Sequence, residues 1–383
     1  MKKNILFFSG KRGGINHFIP LIKKIQKNKN FKCSILFTDM HLSKIFGQTY
    51  DEFVNLTKEV HFVKSISKKI DGSKSNRANQ IPKAMNGITK KLIKIKPYAV
   101  IILGDRSELF SVAIPCMILN IPIIHFYGGD VSEGSTDNTT RFSLSMISNI
   151  HLVSNKYSFE KLLSLGIERK KIFNVGLLSL HQIPLIRPSK QNFFKKMKLD
   201  PKKKTIISII HPETHFLDKL KNQMKNVLIS LKKIDANKVF IYPCSDPGYD
   251  IIIKSIRDYC NKDKFSHLFK NLNNKFFYNL YSNSNLIIGN SSSGILESGY
   301  LKIPALNIGN RQKGRYQTQN IINCEFNSKK LTKKINYCLN NKKFIFKVKR
   351  AKSFYYDKYS LKKSYEVLTK IDMKNKDIII NRF

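Results

Sequence analysis

The chain has 383 residues, 42% hydrophobic and 25% charged, a mix that supports folded domains and argues against disorder. Its 69 Lys+Arg against 26 Asp+Glu give a formal net charge of +43, a field able to draw nucleic acid, anionic lipid or a polyanionic substrate. The lysines are scattered singly and in short runs ("SKKIDGSK", "DPKKKT", "KKINYCLNNKK"), which reads as solvated surface and excludes a dedicated nucleic-acid groove as the first explanation. The apolar run in the opening "MKKNILFFSGKRGG" stops after about four residues, short of the ~7–15 of a signal peptide core. No run approaches the ~18 apolar residues of a membrane span. The six cysteines, Cys33, Cys116, Cys244, Cys260, Cys324 and Cys338, lack metal or redox spacing and read as reduced core thiols. A cytoplasmic protein without a membrane or a specific nucleic-acid partner is expected.

In chain order, short apolar runs alternate with longer amphipathic ones. The first half predicts strands at "NILFFS", "KCSILFT", "VHFV", "YAVIILG", "IPIIHF" and "IHLVS". Between them "NQIPKAMNGITKKLIKI" predicts a helix with Ile81, Met85, Ile88, Leu92 and Ile95 on one face. After the polar, proline-bearing "HQIPLIRPSKQNFFKKMKLDPKKK" the pattern restarts, with strands predicted at "TIISII", "KVFIYP", "FFY", "NLIIG" and "IPALNIG". Apolar strands separated by helices imply parallel sheets covered on both faces. The economical reading is an α/β chain of two Rossmann-like, doubly wound domains, residues 1–180 and 181–355, joined near 181–200. A cleft is expected between the carboxyl ends of both sheets. Residues 356–383 are expected to form a helical tail that packs back on the first domain.

Several side chains with chemistry fall where those strands end. Asp105 in "LGDRSE" follows its strand directly, where it can serve the cleft or cap the next helix. Arg106 and Glu108 read as residues that hold that loop together. The loop "GGDVSEGSTDNTTR" supplies Asp130, Glu133, Asp137 and Arg141, with paired glycines that permit close backbone approach. His125 reads equally as a buried core histidine or a ligand. His211 ends the first strand of the second domain, with Thr214 beside it. In "GNSSSGILE", Ser291, Ser292 and Gly294 offer either a plain N-cap or free N–H groups for an anion. The following "NIGNRQKGR" brings Arg311 and Arg315 to the same sheet edge, as in a phosphate clamp.

The composite of "SGKRGGINHFIPLIKKI", "DMHLSKIFGQTYDEF", "LGDRSE", "HFYGGDVSEGSTDNTTR", "HPET", "GNSSSGILE" and "IPALNIGNRQKGR" resembles the hydrolysing UDP-N-acetylglucosamine 2-epimerases of sialic- and legionaminic-acid pathways. That resemblance implies the two-domain fold of nucleotide-sugar glycosyltransferases and a UDP-sugar substrate, with no metal and no cofactor. It further implies removal of the C2 proton, departure of UDP from C1, and hydration of the resulting glycal to a manno-configured sugar. By the same resemblance Asp105, Asp130, Asp137 and His211 are catalytic candidates. Arg12, His41, Arg141, Thr214, Ser291, Ser292, Gly294, Glu297, Arg311 and Arg315 are substrate-binding candidates, Arg12 toward phosphate and Glu297 toward the ribose hydroxyls. A homo-oligomer, dimer or tetramer, is the expected assembly.

The sequence also departs from the family pattern. A frequent glutamate aligns with Phe126 or Tyr127, a histidine with Phe142, a lysine with Met146, and an acidic residue of the first loop with Gly14. These positions bear on which sugar is bound, UDP-N-acetylglucosamine or UDP-N,N'-diacetylbacillosamine, and on which carboxylate is base and which is acid. A glycosyltransferase of the same fold, a non-hydrolysing epimerase and a non-catalytic UDP-sugar-binding protein are the alternatives.

Overall fold

The computed structural model describes residues 2–66, 70–185 and 190–383. Seven parallel strands form the first sheet: β1 (Lys3–Ser9), β2 (Phe31–Phe37), β3 (Glu59–Phe62), β4 (Ala99–Leu103), β5 (Ile123–Phe126), β6 (Ile150–Val153) and β7 (Ile172–Asn174), in the order β3-β2-β1-β4-β5-β6-β7. Six form the second: β8 (Thr205–Ile209), β9 (Asn237–Ile241), β10 (Ser266–Phe269), β11 (Leu286–Gly289), β12 (Ala305–Ile308) and β13 (Ile321–Cys324), in the order β10-β9-β8-β11-β12-β13. The fold is α/β with two doubly wound sheets.

Side-chain alternation explains why the strands are apolar throughout. Ile5, Phe7, Ile35, Phe37, Ala99 and Ile101 enter one core of the first sheet, whereas Leu6, Phe8, Leu36, Val100 and Ile102 enter the core on its other face. The helix Lys74–Ile95 covers that second face with Gln80, Ala84, Ile88 and Leu92 buried. Ile81, Met85 and Ile95 of the predicted stripe are only half-buried, so the helix is turned to bury the i, i+4 row that runs through Gln80, Ala84, Ile88 and Leu92. Ile88 and Leu92 are fully buried, each contributing about 1.5–3 kcal/mol.

Order reverses between β1 and β4 in the first sheet and between β8 and β11 in the second. The loops leaving those strands splay apart and open a crevice at the carboxyl edge of each sheet. The glycine that ends β11 is required there. Gly289 has φ +128°, and a Cβ on it would lie 1.9 Å from the Ile209 carbonyl oxygen. The neighbouring strands can therefore stay paired while the chain turns into the serine loop.

Three readings of the sequence change. "FFY" belongs to the helix Asn274–Asn283, capped by Asn273, whose side chain accepts from the Phe276 N–H at 2.9 Å. A run of aromatics mimics a buried strand when periodicity is short. The strand in this part of the sheet is β10, and the edge strands β7 and β13 carry too few apolar residues to stand out. The helix that an N-cap at "GNSSSGILE" would open is two single turns, Ser293–Leu296 and Ser298–Leu301, broken at Glu297. A four-residue turn has little dipole, so an anion there would depend on individual N–H groups and on cations.

Of the segment expected to join the domains, 186–189 lie outside the described residues. At the other end, Tyr355, Val367, Leu368 and Met373 are buried in the core of the first sheet. Tyr98 Oη donates to Asp372 Oδ1 at 2.8 Å, and the Asn149 amide reaches the Ile379 carbonyl at 2.9 Å, so the last residues lie on the first domain. No helix among the described residues is long and apolar enough to cross a membrane.

Candidate active site

A cavity of about 210 Å³ lies where the two crevices face each other, walled by both domains. From the first domain it is lined by Lys11, Arg12 and His17 after β1, by Asp105 and Arg106 after β4, and by Ser132 and Asp137 after β5. The second domain supplies His211 after β8, Tyr242 and Cys244 after β9, Ser291–Ser293 and Glu297 after β11, and Arg311, Gln312 and Arg315 after β12. Ile209, Leu272, Phe277 and Leu296 add an apolar part. The lining contains no group of three or more His, Cys, Asp or Glu able to hold a metal, nor does any other part of the described residues.

The two aspartates on this wall are pushed apart. Burial acts to raise the Asp105 carboxyl, but its partner Arg141, with Lys11, Arg315 and Arg311, outweighs burial and holds the group well below the usual carboxylate range. Asp137 goes the other way. Burial raises its pKa, Arg311 at 2.5 Å pulls it back, and the neighbouring carboxylates Asp105 and Asp246 push it up again. One cavity thus presents a firm carboxylate and a carboxyl that retains its proton more readily, the arrangement that separates base from acid.

His211 is shaped as a donor. Its Nδ1 accepts the Cys244 N–H at 3.1 Å, and burial, with Arg311 adding to it, holds the ring pKa well below its ordinary value. The neutral ring therefore carries its proton on Nε2, which makes it a hydrogen-bond donor and a poor base. His17 is likewise neutral, lowered to about 3 by burial and by Lys11. Glu297 is raised to about 7 by burial, against the Tyr278 hydroxyl that donates to its Oε1 at 3.1 Å; its Oε2 has no partner among the described residues.

Five of the catalytic and substrate-binding candidates do not line the cavity. Asp130 accepts from Asn155 Nδ2 at 3.2 Å and from the Ser158 hydroxyl, and lies 3.3 Å from Arg315 Nε. It holds an arginine from behind. Arg141 is 1% exposed; it pairs with Asp105 and donates to the Asp130 carbonyl at 2.6 Å and Ser132 Oγ at 3.0 Å, so it positions a wall residue. Thr214 Oγ1 accepts the Thr136 N–H at 3.1 Å and latches the two domains. His41 is enclosed, with its two nitrogens 2.9 Å from Ser9 Oγ and 2.8 Å from Thr49 Oγ1, because the loop after β2 folds it under the sheet edge. Gly294 faces open space, and its N–H is used by the Ser291 carbonyl at 3.1 Å.

Arg12 reaches the wall but spends donors on protein. Its guanidinium binds the carbonyls of Lys270, Tyr242 at 2.5 Å and Pro243 at 2.9 Å, tying the first loop to the second sheet. Asp105 caps nothing; the residue preceding the next helical turn is Arg106. The expectation that Arg106 and Glu108 brace the loop fits their contacts, which extend through Asp246 and Ser245 to the second domain. His125 is a core residue, with its nitrogens 2.7 Å from the Gly104 carbonyl and 3.1 Å from Ser145 Oγ. Lys11, His17, Tyr278 and Gln312 escaped the sequence reading. Lys11 and His17 lie inside the first quoted motif and Gln312 between the two arginines, and Tyr278 was hidden by the assignment of "FFY" to a strand.

The departures from the family pattern lie outside the cavity too. Tyr127 Oη accepts the Leu178 N–H at 2.9 Å, Phe142 lies under Lys161 Nζ at 5.9 Å, and Met146 packs against the small core around Leu162. A Cβ on Gly14 would sit 2.5 Å from Ser9 Oγ, so this backbone has no space for an acidic side chain.

Comparison with known proteins agrees with this geometry. Residues 23–369 match the UDP-N-acetylglucosamine 2-epimerase family profile. A Campylobacter jejuni protein named GDP/UDP-N,N'-diacetylbacillosamine 2-epimerase (hydrolyzing) is 34% identical over 335 residues, 85% of each chain. The Legionella pneumophila UDP-N,N'-diacetylbacillosamine 2-epimerase (hydrolyzing) is 27% identical over 383 residues, 100% of this chain and 99% of its own. In fold, the chain is similar to the UDP-GlcNAc 2-epimerase of Neisseria meningitidis bound to UDP-GlcNAc, with TM-score 0.79, 18% identity, and coverage of 97% of this chain and 100% of that one. The chain belongs to the UDP-N-acetylglucosamine 2-epimerase family and, within it, to the hydrolysing UDP-sugar 2-epimerases.

Proposed function

We propose that the enzyme converts a gluco-configured UDP-N-acetyl sugar, UDP-N,N'-diacetylbacillosamine ahead of UDP-N-acetylglucosamine, to UDP and the free manno-configured sugar. The observation that carries this reading is the opposed pair Asp105 and Asp137 on a wall that faces Arg311 and Arg315. The Asp105 carboxylate takes the C2 proton, and the C1–O bond breaks with its electron pair leaving on UDP. Arg311, Arg315, Lys11 and the His211 Nε2–H receive the growing negative charge. Water then adds its oxygen to C1 of the glycal while Asp137 delivers a proton to the opposite face of C2. Asp137 recovers a proton from that water, and the one held by Asp105 returns to solvent.

Asp105 is a weak base while the arginine field bears on it. A bound diphosphate neutralises that field, and the carboxylate becomes more basic when substrate is in place. Glu297 is assigned to the ribose hydroxyls and Ser291 and Ser292 to the diphosphate. The preference for diacetylbacillosamine rests on the names of the Campylobacter and Legionella relatives and on the apolar lining, which suits a 6-deoxy sugar.

The test is incubation with each UDP-sugar in deuterium oxide, following free UDP and the released sugar. One deuterium at C2 of a manno-configured product is expected. An unlabelled gluco-configured product means plain glycoside hydrolysis, and turnover only with an added acceptor means a glycosyltransferase.

A further inference from the structure

A larger cavity lies elsewhere among the described residues. A groove of about 910 Å³ runs along the second domain between the helix Leu220–Lys232, β13 and the helix Ser328–Asn340. Two half-exposed aromatics, Phe216 and Tyr337, and four lysines, Lys219, Lys330, Lys333 and Lys334, line it. Glu325 pairs with Lys330 and Glu213 adds a second carboxylate to the wall, which leaves two of those lysine charges in excess. At the inner end Gln223 is 8% exposed. Its amide nitrogen lies 3.4 Å from Glu213 Oε2, which fixes the amide's orientation and leaves its carbonyl oxygen buried without a partner among the described residues. An unpaired buried acceptor costs about 1–3 kcal/mol, and a donor on a ligand would relieve it.

One loop separates this groove from the active site. Gly309 and Asn310 line the groove, whereas Arg311, Gln312 and Arg315 line the catalytic cavity. Glu213, also on the groove wall, accepts the Asn310 N–H at 2.5 Å and the Arg311 N–H at 3.0 Å, so the loop rests on this carboxylate. Anything that shifts Glu213 or Gln223 moves the backbone that carries Arg311.

We propose that this groove is a second binding site, for a nucleoside triphosphate, and that its occupancy is felt at the active site through the loop 309–315. The lysines take the phosphates, an aromatic wall takes the base, and the Gln223 carbonyl accepts from a hydroxyl or amino group of the ligand.

The probe is N-methylanthraniloyl-ATP, followed by fluorescence in saturating UDP so that the active site is filled. Binding is expected to persist, to weaken at least 10-fold in the double variant Lys330→Glu/Lys333→Glu, and to remain unchanged in Lys90→Glu/Lys94→Glu, which removes equal charge from the exposed face of the helix Lys74–Ile95. UDP affinity is expected to change several-fold when ATP is present, and ATP affinity by the same factor when UDP is present. Displacement of the probe by UDP would overturn the proposal. So would equal loss in both double variants, which would mean attraction by net charge alone, or UDP and ATP affinities that ignore each other. Probe binding in saturating UDP does not depend on the epimerase chemistry, so failure here and failure of the epimerase reading are separable.

Discussion

The two walls of the cavity between the domains are built differently. On the first-domain side the acidic groups are braced from behind: Asp105 by Arg141, and Arg141 by the Asp130 carbonyl and Ser132. On the second-domain side the wall is a turn of small residues, two single helical turns and a loop whose arginines reach across the cleft. The first wall holds a few atoms in fixed places, as proton transfer requires; the second offers many donors over a broad area, as a diphosphate and a ribose require. Substitutions on the first wall should therefore lower kcat at nearly constant UDP affinity, and those on the second should act through nucleotide binding.

The largest effect is expected at Asp105. Asp105→Asn keeps the shape and removes the base, so UDP release should fall by ~100-fold or more, while the UDP-induced rise in melting temperature stays. Full activity in this variant would remove Asp105 from the chemistry. Arg141→Lys tests the brace. It retains the charge but not the fork that holds Asp105, the Asp130 carbonyl and Ser132 together, and about a 10-fold drop in kcat with unchanged UDP affinity is expected from titration calorimetry and steady-state rates. A loss confined to UDP affinity would place Arg141 on the wrong wall.

Glu297 is the test of the second wall. Its carboxyl is raised to about 7, so in the folded protein it stays protonated over a range in which the unfolded chain has already ionised. Stability from this group is fully present below the ordinary glutamate pKa near 4.5 and is lost as pH rises through about 7. Glu297→Gln should thus be more stable at pH 8 without ligand, by on the order of 3 kcal/mol at about 1.4 kcal/mol per pH unit, and melt at a higher temperature. The same variant should bind UDP about 10-fold more weakly; in the wild type, ionisation of Glu297 between pH 6 and pH 8 is expected to strengthen its hold on the ribose hydroxyls, and that gain should disappear in the variant. A variant no more stable than wild type at pH 8 would contradict the burial argument.

The smallest effect is expected at Gly294. A Cβ there meets nothing within 4 Å, so Gly294→Ala should leave UDP binding within about twofold and stability within ~1 kcal/mol. Gly289→Ala, five residues earlier, should destabilise severely, because its Cβ would overlap the Ile209 carbonyl. Equal melting temperatures for the two variants would refute this reading of the turn.

Much of this was legible in the sequence because it depends on local periodicity and strand ends. Fully apolar runs separated by helical patterns give doubly wound sheets, and Asp105, His211, the serine turn and the two arginines all follow such runs. Depth was not legible. Asp130 and Asp137 share one loop and one residue type, yet a turn toward the Asn155 helix takes the first behind the wall and leaves the second on it. His41 and His211 likewise differ by what folds over them. Such differences arise from contacts between residues far apart in the chain, as with Arg315 beside Asp130 or Arg311 beside Asp137. The short edge strands and the helix misread as "FFY" show the other limit, where too few residues repeat to reveal a period.

The grip of Arg12 on three carbonyls of the other domain, together with the latch at Thr214, has a consequence for time rather than for affinity. The cavity of about 210 Å³ is smaller than the ~300–1,000 Å³ of sites that enclose drug-sized ligands, so a nucleotide sugar is expected to need more room between the domains than those bonds leave. Each catalytic cycle is then expected to include two domain movements, one to admit substrate and one to let UDP go. These movements fall in the microsecond-to-millisecond range and make association slower than diffusion. The slow step of turnover is expected to respond to solvent viscosity, and loosening Arg12 should quicken the departure of UDP even where it weakens its hold.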